Sequence, residues 1–200
     1  LIAMLLPFPA LLSGATGAVG ESAVNRISER ELILVTSEAL LPSWSEFLDW
    51  KRAMGIPCDA ISIQEIDSTY PGKDRPERLR SFMKKAVEHY RTRWFLLGGD
   101  SDTIPPRMVD AETYNLAEGA HRNLPVATDL YYADLDHEWD NDGDGRFCAP
   151  ADECDLLPDV MVGRVAARNS EDVKRWTRKL MAYEGATNDD YQNRVLFLGS

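Results

Sequence analysis

The stretch Asp74-Arg-Pro-Glu-Arg-Leu-Arg-Ser-Phe-Met-Lys-Lys-Ala-Val-Glu-His-Tyr90, followed at once by Arg93-Trp-Phe-Leu-Leu97 and Gly98-Gly-Asp-Ser-Asp102, decides the fold. Leu79, Phe82, Met83, Ala86, Val87 and Tyr90 form one apolar stripe at i, i+3, i+4, i+7 spacing, which predicts an amphipathic helix. The apolar run after it is too short for a second helix and ends on glycine, which predicts a buried strand. Working upstream, Glu31-Leu-Ile-Leu-Val-Thr36 is a strand of the same kind. Pro42 to Met54 is a helix stopped by Gly55, and Ile56 to Ile63 is another strand. The unit is β-α-β-α-β with helix-length crossovers, so the strands run parallel and the crossovers are right-handed. Downstream, Asp159-Val-Met-Val-Gly-Arg164 reads as a strand. Ser170 to Tyr183 reads as a helix with Ser170 as its N-cap, and Arg194 to Ser200 as a further strand. The fold class is α/β, a doubly wound, mostly parallel sheet with helices on both faces. No helix follows the last strand, so the sheet reads as incomplete at the C-terminus.

Hydrophobic residues make up 44% of the 200 and charged residues 28%, a globular composition. The net charge of −11 excludes a protein that coats nucleic acid or an anionic membrane. Acidic residues crowd between Asp129 and Asp159, with Arg146 the one fixed positive charge among them, so divalent cations are the natural counter-charge. The apolar run Leu1 to Leu12, followed by Ser13-Gly-Ala-Thr-Gly-Ala18, reads as part of a signal peptide over residues 1–18, leading to a linker over 19–30. A buried strand or a lipoprotein anchor is the alternative. No segment is suited to spanning a membrane. The expected location is secreted or cell-surface. Export permits disulfides, so Cys148 and Cys154 are either a short staple or two thiols in a loop; Cys58 sits in an apolar stretch and reads as core.

Between Pro105 and Pro158 the periodicity is weak, and a loop of that length usually has a function or elements of its own. Within it, Asp140-Asn-Asp-Gly-Asp-Gly145 places carboxylates at positions 1, 3 and 5 and glycine at position 6, the pattern that wraps oxygen ligands around calcium. Asp140, Asp142 and Asp144 are the candidate ligands. Position 12, the bidentate Glu of an EF-hand, is Ala151 here, with Asp152 and Glu153 beside it, so the loop is EF-like and not an EF-hand. An acidic solvated turn without an ion is the competing reading. A second set is Asp100, at the carboxyl end of the third strand, with Asp155 and Asp159 before the next. If those strands are neighbours, the three carboxylates are placed to share one hard cation; helix caps and surface ion pairs are the alternative. No catalytic pair is visible: His89, His121 and His137 read as surface residues, no C-x-x-C or H-E-x-x-H occurs, and Gly98-Gly-Asp-Ser lacks the pattern of a phosphate loop.

The order of segments from Glu31 to Ser200 resembles the gingipain-type (clostripain-related, caspase-like) cysteine peptidases. The marks are Leu32-Ile-Leu-Val-Thr-Ser, Phe47-Leu-Asp-Trp-Lys-Arg-Ala-Met-Gly-Ile-Pro, Phe95-Leu-Leu-Gly-Gly-Asp followed by Ile104-Pro, Thr128-Asp-Leu-Tyr-Tyr, Pro158-Asp-Val-Met-Val-Gly-Arg164 and Tyr183-Glu184. The resemblance implies a caspase-like fold in two side-by-side subdomains. Residues 31–200 would be the first, with a calcium-loop excursion over about 129–158. The Cys and His dyad would then lie beyond Ser200, so that this stretch alone is inactive. The resemblance further implies calcium as cofactor, at Asp100, Asp155 and Asp159 with carbonyls near Asp152 and Leu157. Protein or peptide substrates and the remainder of the chain are the implied partners. The Asp140 loop departs from the family pattern as an additional calcium site. The rival expectations are a catalytically inactive relative serving in export or surface attachment, and a stand-alone calcium-binding α/β module.

Overall fold

In the computed structural model, residues 29–115, 120–154, 156–186 and 194–197 are described. Strand β1 (Leu32–Thr36) is buried along its whole length. A 3-10 turn (Leu41–Trp44) leads into α1 (Ser45–Ala53), then β2 (Cys58–Ser62), α2 (Ile63–Thr69), α3 (Arg75–Tyr90) and β3 (Trp94–Gly98). A hairpin of β4 (Arg107–Asn115) and β5 (Ala120–Thr128) follows, then the short α4 (Leu130–Ala133), β6 (Met161–Val165) and α5 (Ser170–Gly185). The sheet order is β2-β1-β3-β6 with every pairing parallel.

Alternation along the central strands separates two cores, as a sheet covered on both faces requires. Ile33, Val35, Phe95 and Leu97 face α2 and α3, where Ile66, Leu79, Phe82, Met83 and Ala86 are buried. Leu32 and Leu34 face the other way, onto Trp44, Phe47, Val165 and Val173. Trp176 completes that side, with its ring centroid 5.7 Å from Trp44 and 5.5 Å from Phe47. Where β1 and β3 end, the Thr36 hydroxyl donates to the Gly98 carbonyl at 2.5 Å and accepts the Trp44 indole N–H at 3.2 Å. The indole lies so close that a Cβ on Gly98 would stand 2.6 Å from Trp44 Cζ2.

Several boundaries differ from the sequence pattern. The apolar run 56–63 does not stay extended to its end: Ser62 accepts the Glu65 N–H and caps α2, which begins at Ile63. Asn169, not Ser170, caps α5, accepting the Glu171 and Asp172 N–H groups at 3.0 Å each. The sixth strand starts two residues later than the pattern suggests, because Asp159 and Val160 donate their N–H groups to the Ala133 carbonyl. The irregular region contains the β4-β5 hairpin, whose sequences Asp110-Ala-Glu-Thr-Tyr-Asn115 and Ala120-His-Arg-Asn-Leu-Pro125 carry almost no apolar alternation to reveal it. Residues 194–197 have no regular secondary structure and 198–200 lie outside the described residues, as does the leader over 1–28. No described helix is long and apolar enough to cross a membrane.

Candidate metal centre

Trp139, 1% exposed, anchors the start of the acidic loop. Its ring meets Tyr131 edge-on at 5.4 Å and its indole N–H donates to Asp134 Oδ2 at 2.7 Å. From there the chain turns through Asx bonds: Asp142 accepts the Asp144 N–H, Asp144 accepts the Arg146 N–H, and Asp140 accepts the Gly145 N–H at 3.1 Å. Gly145 has φ +83° and nothing within 4 Å of a Cβ position, so it is glycine for its backbone and not for space. The excursion closes where the Cys148 N–H donates to the Trp139 carbonyl at 2.7 Å and Cys148 is bonded to Cys154. The disulfide reading therefore holds and the free-thiol reading does not.

Inside that ring lies Asp152, 1% exposed. Its Oδ1 accepts the Asn141 N–H and its Oδ2 the Ala149 N–H, both at 2.8 Å, while its carbonyl accepts Asn141 Nδ2 at 2.7 Å. One carboxylate oxygen from each of Asp140, Asp142 and Asp152 lies within 4.8 Å of the others. Oxygens bound to calcium at about 2.4 Å can be at most about 4.8 Å apart, twice the bond length, so this spacing fits a single coordination sphere. The donor set, all hard oxygen, suits calcium over zinc or copper. Asp144 does not join this group; it caps the turn. The Asp152 carboxylate is not among the sequence candidates, which name only carbonyls near that residue, although its place one residue past position 12 and between two cysteines is the signal that points to it.

Of the second set, Asp100 and Asp159 do not come together. Asp100 caps the turn after β3, its Oδ1 accepting the N–H groups of Asp102 and Thr103 and the Thr103 hydroxyl, and its Oδ2 accepting Arg168 Nε at 3.0 Å. Burial pulls its carboxyl up, but the Thr103 bonds and the Arg168 guanidinium more than offset this and hold it below the usual value. Asp159 Oδ2 accepts the Leu135 and Asp136 N–H groups. The strands that carry them are neighbours, but parallel: the register pairs Trp94 with Met161 and Gly98 with Val165. Asp159 therefore lies before the amino end of the pair and Asp100 beyond its carboxyl end, separated by at least the roughly 16 Å of a five-residue strand. Asp155 lies outside the described residues.

In the cluster of Asp134, Asp136 and His137, the central carboxylate already has protein partners. Asp134 is fully buried, bonded to Trp139 and to the His137 N–H, and Arg80 lies 3.8 Å from it. His137 Nδ1 meets Asp136 at 2.6 Å. Arg80 itself donates to the carbonyls of Asp134 and His137, so this group is a brace between α3 and the excursion.

Among the described residues no thiol stands beside a base. The free Cys58 thiol donates to the Leu48 carbonyl, and burial pushes its pKa up, away from a nucleophilic thiolate. His89 is exposed on α3, with Nδ1 2.9 Å from the Lys85 carbonyl; the His121 side chain lies outside the described residues. At the carboxyl edge of the sheet, Arg164 pairs with both oxygens of Asp129 at 2.7 Å and donates to the Gly99, Asp100 and Ile104 carbonyls.

The model of peptidase family C25 matches residues 27–200. Gingipain R (RgpB), an Arg-specific cysteine proteinase, is similar in structure with a TM-score of 0.54 at 18% identity, over 80% of this chain and 29% of that one. The complex of Porphyromonas gingivalis RgpB pro- and mature domains gives 0.52 at 17% identity, over 76% and 29%. Dimeric latent PorU from Porphyromonas gingivalis gives 0.51 at 17% identity, over 77% and 15%. The chain thus spans less than a third of the length of these structures. No curated protein matches it significantly.

Proposed function

Since this chain belongs to peptidase family C25, we propose that it is the first part of a secreted cysteine endopeptidase, supplying scaffold and a calcium site to a dyad carried beyond residue 200. The observation that carries this reading is the family match, which runs across the whole described sheet. The dyad's Cys, activated by the His, would attack the scissile carbonyl carbon. The amine leaves with a proton from the imidazole, and water then hydrolyses the acyl-enzyme. Protein or peptide chains are the substrates, and the rest of the chain is the partner that completes the site. The leader-like residues 1–18 and the Cys148–Cys154 bond support an exported location.

Calcium would be held by Asp140, Asp142 and Asp152. When bound, it supplies charge neutralisation and order, not chemistry at the scissile bond. The carboxylates hold it, and Gly145 permits the tight turn that brings Asp140 and Asp142 round. Binding to the folded loop alone stabilises it in proportion to the logarithm of free calcium.

The test is to incubate the complete gene product with casein and with fluorogenic peptides, with and without iodoacetamide. Hydrolysis abolished by the alkylator supports the peptidase. No hydrolysis, or hydrolysis that alkylation leaves untouched, sinks it, and the first of these results points to an inactive relative.

A further inference from the structure

We infer that the Cys148–Cys154 bond is an oxidation-dependent clamp: it holds Asp152 in the acidic loop, so the loop closes only after the two thiols have been joined. The inference about metal affinity rests on the calcium reading above; the clamp itself does not.

Apart from the two cysteines, which pack against the core, little of the segment is buried. Of residues 149–154, only Ala149 and Asp152 are buried. The buried Asp152 carboxylate is fixed by backbone amides on both sides of the ring: Asn141, from the acidic loop, and Ala149, from inside the ring. A charge buried there is tolerable only while those donors stay in place. The backbone does not favour the arrangement, because Cys148 and Glu153 both have φ +54°, a region that is strained for residues with a Cβ. Both strained positions are inside or at the ends of the ring that the disulfide closes over a separation of 6 residues. Opening the bond lets both relax and lets Asp152 leave for water. Asp140 and Asp142 then lose their third carboxylate.

Formation of the clamp removes two protons and two electrons from the thiols and passes them to a disulfide oxidant, which becomes a dithiol. The reverse step uses a dithiol reagent such as dithiothreitol, which ends as its cyclic disulfide while each cysteine sulfur gains a proton. Cys58 takes no part; it is buried and already a thiol. In a reducing cell interior the loop is open, and in an oxidising compartment it closes, which matches an exported protein.

The test is hydrogen exchange on the complete protein in a chelating buffer, comparing the oxidised form, the form reduced with dithiothreitol, and the Cys148→Ser/Cys154→Ser variant. The loop-closure factor for a ring of this size is roughly 40-fold, so protection at the Asn141 and Ala149 amides should fall by about that much, with β1 and β3 unchanged. Equal protection in oxidised and reduced protein overturns the clamp. If the variant does not fold, the reduced wild-type protein decides alone. A parallel calcium titration separates the two readings. Oxidised protein that binds calcium more tightly than reduced protein supports both. Exchange that responds to reduction in a protein that binds no calcium in either state keeps the clamp and sinks the calcium reading.

Discussion

Replacing Asp74 with alanine should destabilise the protein about twice as much as replacing Arg107 with methionine, although the two residues form a single ion pair. Arg107 is only 6% exposed; its guanidinium lies 4.4 Å from the Tyr131 ring centroid and 3.9 Å from that of Phe147. It donates to both oxygens of Asp74, at 2.7 and 2.9 Å. Asp74 has a second task, accepting the Glu77 N–H as the N-cap of α3. Asp74→Ala therefore removes a cap worth about 1 kcal/mol and leaves a buried guanidinium without its counter-charge, which costs about 3 kcal/mol, at the low end because the Asp74 side is 46% exposed and water helps. Arg107→Met keeps the cap, returns Asp74 to water and retains apolar packing between the rings. It loses the screened pair and two cation-π contacts, about 2 kcal/mol together.

The assay is urea unfolding followed by tryptophan fluorescence, with the double variant completing a cycle whose coupling should be about 3 kcal/mol. Burial pulls the Asp74 carboxyl up, but Arg107 and the Glu77 amide overcome this and hold it below its usual value. Its contribution is therefore complete above the unfolded value near 3.9 and is lost as pH falls through the depressed folded value. Arg107→Met should flatten the loss of stability in that acid range. Asp74→Ala costing no more than a cap, or Arg107→Met costing more than Asp74→Ala, would refute the reasoning.

Gly98→Ala should cost about 1–3 kcal/mol, because its Cβ would stand 2.6 Å from Trp44 Cζ2 and 2.9 Å from Leu34 Cδ1, both fully buried; Gly163→Ala, with its nearest contact at 3.7 Å, should be near neutral in the same unfolding assay. Trp44→Phe keeps most of the ring but loses the bond to Thr36, a loss of about 1 kcal/mol or more by the same measurement. In calorimetric titration, Asp152→Asn should weaken calcium binding about tenfold or more while Asp144→Asn changes it less than about threefold, since a lost carboxylate ligand is worth at least a factor of ten and Asp144 stands outside the group. Equal effects of the two would remove Asp152 from the ligand set.

The centre of the sheet was legible because β1 is an aliphatic run buried along its whole length, β3 is a short apolar run closed by glycine, and α3 has an apolar stripe whose residues are buried. The hairpin was not, because apart from Val109 and Val126 its sequence gives no period-two alternation, and Pro125 argues against a strand unless the strand lies at an edge. Cap identity turned on one residue: Asn169 and Ser170 are both good caps, and only the extended backbone of Asn169, at φ −150° and ψ 172°, decides between them.

The two acidic sets show what spacing can and cannot say about a metal site. Asp100 and Asp159 come from adjacent strands, and adjacency alone suggested convergence. A parallel pair, however, puts the residue after one strand and the residue before the next at opposite edges of the sheet, so strand neighbours cannot make that site whatever their side chains do. The Asp140 loop depends on no strand order. The carboxylates of Asp140, Asp142 and Asp152 meet within one short excursion that contains a positive-φ glycine turn and the Cys148–Cys154 disulfide. Local constraints of this kind survive translation from sequence to structure. Sequence spacing puts Asp144 in the candidate group; the folded loop instead brings Asp152, eight residues further on, within 4.8 Å of Asp140 and Asp142, because the chain returns on itself through the Cys148–Cys154 ring.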